Sequence, residues 1–206
     1  LHHSISKDNK GKYYAPTRNK KFIRSKLENK FQNHGFSIFD ENLNEIYNVS
    51  LIDIYKKNGL LNQIVSMESI PKNPFHLNDV EPYYRSDGKL IVLLSLRSQS
   101  SVMALDIETN KIIWVIDNVI SKQHDVDILN SDNDLLTISI FDNNILMTDK
   151  KQVSKGNRVL IFDKLPTSPE EDIIFISTRQ KHAKYGYKSI EFEWMQEQLR
   201  PKTITS

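Results

Sequence analysis

Between residues 76 and 117 the apolar positions fall into four short runs separated by polar turns. Residues 79–84 read as a short strand, and Arg85-Ser86-Asp87-Gly88 is a strong turn signal because glycine accepts positive φ. Residues 89–96 are leucine-rich and β-branched, and residues 101–106 follow. Glu108-Thr109-Asn110 turns the chain again, and residues 111–116 supply a fourth strand. Four short strands with tight turns over about forty residues form one meander, the length of a propeller blade.

The same order recurs. From His124, residues 125–129 predict a strand, Asn130-Ser131-Asp132-Asn133 a turn and residues 135–141 a second strand. VLIFD at 159–163 then resembles VMALD at 102–106 as the third strand, after a polar, lysine-rich loop over 143–157. Strands are also expected over 173–177 and 189–194. An earlier copy runs from His3 through a turn at 8–11 to residue 15, with a later pair at 36–39 and 45–49 around the turn at 40–44. Residues 51–67 carry apolar positions at helical spacing, and treating 50–75 as an inserted helical segment restores the register of the repeats. The expected fold is all-β: a β-propeller of four-stranded blades, one domain or part of one, with blade-like repeats at about 3–49, 76–117 and 124–177. A β-sandwich or plain meander sheet is the ordinary alternative.

Composition narrows the function classes. The 206 residues are 38% hydrophobic and 26% charged, as in an ordinary folded protein. The net charge of +2 is too mild to argue for a nucleic-acid partner. No apolar run approaches the roughly 20 residues of a membrane span. The absence of cysteine removes disulfides, thiolate catalysis and cysteine-based zinc sites. The chain starts at Leu1, which reads as a processed chain or an excised piece, so an export signal could have preceded it. A cloning tag is the plain alternative for Leu1-His2-His3.

Each copy begins with a histidine: His3, His76 and His124. In a propeller the innermost strands line a central channel, so equivalent strand ends point toward one another and repetition gathers these imidazoles. Arg97 ends the second strand of the middle copy. Its planar fork of donors suits a tetrahedral oxyanion, and imidazoles supply donors, acid or base, or nucleophiles near neutral pH.

FHLNDVEPYY, LLSLRSQSSVMALD and QHDVDIL resemble the active-site segments of the bacterial arylsulfate sulfotransferase family, and LHHSIS does so more weakly. The similarity covers residues 1 to about 163 in the order His, His, Arg, His. It implies a six-bladed propeller, incomplete in this chain, in an exported periplasmic or secreted protein. It also implies sulfuryl transfer from an aryl sulfate to a phenol, with no nucleotide donor and no cofactor. Carried over, His124 is the nucleophile that becomes transiently sulfated. His76 and Arg97 grip the sulfuryl oxygens, and His3, with His2 as the competing choice, matches the remaining histidine. Asn78 and Tyr84 are expected to bind substrate, Asn78 with turn capping and Tyr84 with packing as the ordinary alternatives. Partners are then small molecules, with a homodimer as an option.

Two other classes stay open. Three converging histidines also suit a metallohydrolase, with Asp79 or Asp125 assisting, though Arg97 beside a divalent ion is unfavourable without an anion between them. A non-catalytic binding module is the second, since fold alone does not license an activity. The lysine- and arginine-rich stretch at 7–30 reads as a solvated loop. His34 and His182 are expected to be exposed, and Trp114 and Trp194 to pack.

Overall fold

A computed structural model describes residues 4–18, 32–65, 73–147, 152–176 and 187–188. The first sheet is a meander of β1 (Ser6–Lys7), β2 (Tyr13–Arg18), β3 (His34–Phe39) and β4 (Glu45–Ser50). Two short helices follow, α1 (Leu51–Lys57) and α2 (Asn62–Val65). The middle meander comprises β5 (Leu77–Tyr84), β6 (Leu90–Leu96), β7 (Ser101–Asp106) and β8 (Lys111–Ile116). The third begins with β9 (Asp125–Asp132) and β10 (Leu135–Asp142). A small hairpin of β11 (Ile145–Met147) and β12 (Gln152–Ser154) then precedes β13 (Arg158–Pro166), which returns to β10. β14 (Ile174–Ile176) pairs in parallel with β8, and β15 (Tyr187–Lys188) with β13.

The all-β expectation holds, and the described sheets are open: none closes on itself. The sheets stack with their first strands together, β5 lying against both β1 and β9. This explains why LIVLLSL in β6 is apolar throughout whereas β10 alternates. Val92, Leu94 and Leu96 face one core shared with the first sheet and α1, beside Tyr14, Phe36 and Tyr55. Ile91 and Leu93 face the opposite core, with Trp114, Leu136, Ile138, Ile140 and Phe162. A strand buried on both faces needs no polar alternation. In β10 only Leu136, Ile138 and Ile140 are buried with that core, while Thr137, Ser139 and Phe141 lie on the other, partly open face.

Several local expectations change. The helical segment expected over 51–67 is two helices. Ser50 caps α1, its Oγ accepting from Asp53 N at 3.4 Å, and Leu51, Ile52, Ile54 and Tyr55 are buried. Asn58 then stops it: its Nδ2 donates to the Ile54 carbonyl at 2.8 Å and to Asn110 O at 2.9 Å, and its Oδ1 accepts from Ile112 N at 2.9 Å. Gly59 follows at φ 70. The expected loop over 143–157 contains the β11–β12 hairpin. The strand expected near 173–177 joins the middle sheet rather than the third. His34 is not in an exposed turn; it opens β3 and is fully buried, in register with Arg18. Beside it, a Cβ on Gly35 would come within 1.7 Å of the Val49 carbonyl oxygen, so only glycine permits the approach of β3 to β4 there. Trp114 is buried and donates from Nε1 to Pro166 O at 2.9 Å. His182, Trp194, residues 189–194 and the 19–30 half of the basic stretch lie outside the described residues, and in its other half β2 takes the place of the expected loop.

Candidate active site

His76 sits just before β5 with φ 46, a left-handed backbone that costs a non-glycine residue of order 1 kcal/mol. Hydrogen bonds on both sides hold it. Its N–H donates to Asn73 Oδ1 at 2.8 Å, and its carbonyl accepts from Arg97 N at 3.1 Å. Ser98 N donates to Phe75 O at 3.1 Å, Ser98 Oγ to Asn73 O at 2.8 Å and Gln99 Nε2 to Pro74 O at 2.6 Å. The β5–β6 ladder thus continues past both strands and ties His76 to Arg97 through the main chain.

The segment that carries His124 is fixed as firmly. Asp142, fully buried, accepts from Ser121 N at 2.6 Å, Asn144 N at 3.2 Å and Arg158 Nε at 2.8 Å. Arg158 Nη2 donates to Val119 O at 2.6 Å, and Ser121 Oγ to Ile145 O. Lys122 takes a left-handed φ of 57, and His124 N returns to the ladder by donating to Phe141 O at 3.0 Å. His124 itself is exposed, and its Nδ1 lies 2.7 Å from Asn143 Nδ2, which also donates to Lys122 O.

Asn78 and Gln123 join the two segments. Asn78 Nδ2 donates to the Gln123 carbonyl at 3.0 Å, and Gln123 Nε2 to Ser101 O at 2.6 Å. Both side chains are buried, and Asn78 Oδ1 and Gln123 Oε1 have no partner among the described residues. Lys122 reaches back the other way, its Nζ donating to Ser98 O at 3.2 Å. Burial first, then the nearby Arg97 guanidinium, hold the Lys122 ammonium below its usual pKa. Neither cation makes an ion pair among the described residues.

A cleft of about 500 Å³ opens beside His124, lined by Ser4, Asn78, Asp125, Asp127, Ser139, Phe141 and Val159. One edge is acidic. Burial, then Asp125, push Asp79 up to about 6, against hydrogen bonds from Ser4 Oγ at 2.5 Å and Val126 N at 3.4 Å. Burial, then Asp79, raise Glu81 to about 7, and burial with Asp125 raises Asp127.

The expected site residues therefore divide. Asn78 and His124 share the cleft, and His76 and Arg97 are bonded to each other beside it without lining it. Tyr84 lies elsewhere: its hydroxyl donates to Asp8 Oδ2 at 3.0 Å, next to Tyr14, and Lys10 Nζ stands 3.5 Å from its ring centroid. It clasps the first sheet to the middle one. His2 and His3 lie outside the described residues. Among the described residues no group of three or more His, Asp or Glu is arranged to hold a metal ion, and no helix is long and apolar enough to cross a membrane. Lys122, Gln123 and Asn143 were not singled out by sequence. Lys122 and Gln123 directly precede His124, the one signal that could have drawn attention to them.

No curated protein matches the chain. The arylsulfotransferase (ASST) family profile matches residues 1–181, which takes in β1 to β14, His76, Arg97 and the cleft around His124, and the chain belongs to that family.

Proposed function

We propose that the chain carries a sulfuryl-transfer site, moving the group from an aryl sulfate to a phenol through a transient sulfohistidine at His124, without a nucleotide. The observation that carries this reading is the placement of Lys122, whose Nζ reaches the Ser98 carbonyl, close to Arg97, with no carboxylate paired to either cation among the described residues. Two like charges brought together at a site are relieved by an anion between them, and a sulfate ester supplies one. The exposed imidazole of His124 lies at the end of the same short bonded chain, through Lys122 and Gln123.

In the first half-reaction a ring nitrogen of His124 attacks sulfur in line. The N–S bond forms as the S–O bond to the aryl group breaks, and the phenolate leaves with the electron pair. Charge spread over the peripheral oxygens is met by the Arg97 fork and a donor imidazole, for which His76 is the candidate. In the second half-reaction an acceptor phenol gives up its proton to solvent and its oxygen attacks sulfur, the O–S bond forming as the N–S bond breaks and the electron pair returns to the ring nitrogen of His124. Left-handed residues at His76, Ser100 and Lys122 around this point accord with a functional origin, since backbone strain concentrates at sites. As part of the same reading, the stacked meanders are consecutive propeller blades, and the protein works in the periplasm or outside the cell.

The test is transfer from a chromogenic aryl sulfate, together with the mass of the peptide bearing His124 after incubation with donor alone. His124→Ala should abolish transfer with the circular dichroism spectrum unchanged, and the wild-type peptide should gain a sulfuryl group. Turnover retained in the variant, or a peptide that never gains mass, would remove His124 as the carrier.

A further inference from the structure

Asn143 touches His124 in a way that fixes where the imidazole proton resides. Its Nδ2 donates to the Lys122 carbonyl and lies 2.7 Å from His124 Nδ1. A carbonyl oxygen only accepts, so the amide must present its NH2 group on this edge, and rotating it would set two oxygens against each other. The remaining N–H of that group then points at Nδ1, which must accept. A neutral imidazole has one acceptor and one donor nitrogen, so its proton is on Nε2. Nε2 has no hydrogen-bond partner among the described residues.

We infer that Asn143 is a positioning residue that holds His124 in the Nε2–H tautomer, so that the ring meets an incoming anion as a hydrogen-bond donor. The consequence for sulfuryl transfer rests on the proposed function. A protonated Nε2 has no lone pair in the ring plane and cannot attack sulfur. Attack through Nε2 requires its proton to pass to Nδ1. That breaks the Asn143 contact, since two N–H groups would then face each other. Asn143 thus acts as a latch between a form of His124 that grips an oxyanion and a form that attacks.

The experiment is long-range 1H–15N correlation on the full chain labelled at histidine, recorded at rising pH until the histidine signals no longer move, with His124→Gln to assign the signal. The wild type should show a pyrrole-type Nε2 and a pyridine-type Nδ1. One hydrogen bond would bias the ratio roughly tenfold beyond that of free imidazole. Asn143→Ala should lose the bias. Asn143→Asp should reverse it, because a carboxylate accepts from Nδ1–H. A wild type with pyrrole-type Nδ1, or one pattern common to all three proteins, overturns the inference. Absence of sulfuryl transfer with the tautomer pattern as expected would count against the proposed function and leave the latch standing.

Discussion

Asp142→Ala removes a carboxylate with no exposed surface while its three donors stay in place. Arg158 Nε at 2.8 Å, Ser121 N at 2.6 Å and Asn144 N at 3.2 Å all lose their acceptor. Removing one partner of a buried pair costs about 3–5 kcal/mol, mostly through the charge left behind. Arg158 keeps its bond to Val119 O, and its side chain is 25% exposed, so water takes up part of the loss. The two stranded amides act in the other direction, at about 1–3 kcal/mol each if wholly dry. Because these contributions overlap rather than add, about 3 kcal/mol is the expected loss. For a chain of this size each kcal/mol moves the thermal midpoint by roughly 2–4 °C, a fall of about 6–12 °C in all. Urea unfolding followed by circular dichroism measures the loss, with Arg158→Met and the double variant closing a cycle. The double variant should be less destabilised than the sum of the singles by at least about 1 kcal/mol. A loss below about 1 kcal/mol for Asp142→Ala, or a cycle with no coupling, would refute the view that this pair clamps the segment bearing His124.

Gly35→Ala should destabilise by about 3 kcal/mol or more in a thermal scan, because its Cβ would stand 1.7 Å from Val49 O and the strands would have to part; an unchanged midpoint would contradict that packing. Glu81, raised to about 7 in the fold against an ordinary 4.5, holds its proton more tightly folded than unfolded. Its charged form therefore weakens the fold progressively as pH rises from about 4.5 through 7. Glu81→Gln should be more stable than wild type at pH 8 by about 1 kcal/mol, discounted for solvent screening, with the gap closing toward pH 4.5; a pH-independent gap would count against it. Arg97→Lys should lower transfer from an aryl sulfate at least tenfold although the charge is kept, since the planar fork is lost; full activity in a steady-state assay would show that charge alone suffices.

The middle meander was legible because β6, β7 and β8 are nearly continuous apolar runs and polar turns bound its strands. The helix break was not, because Asn58 stops α1 through contacts with Asn110 and Ile112 that periodicity cannot register. His34 was misread since Asn-His-Gly is a turn signal locally, and only the pairing of β3 with β2, which sets it opposite Arg18, makes it strand. In the site, His76, Arg97, Asn78 and His124 stood out by position in the repeats and by family likeness. Asn143 lies nineteen residues from His124 in a polar stretch, and only the return of β10 to β9 brings them together. The contacts of Tyr84 were likewise illegible: its hydroxyl meets Asp8 and its ring Lys10, more than seventy residues earlier in the chain.

The parallel pairing of β14 with β8 has a consequence for biosynthesis. On the ribosome β5 through β8 emerge in one stretch and can pair at once, but the outer edge of β8 waits for a partner that is translated only after β9, β10 and β13. Until then a nascent chain presents an unsatisfied apolar rim to its neighbours in a polysome. Expression yield should therefore depend on how promptly residues 174–176 arrive, even where the finished protein is no less stable.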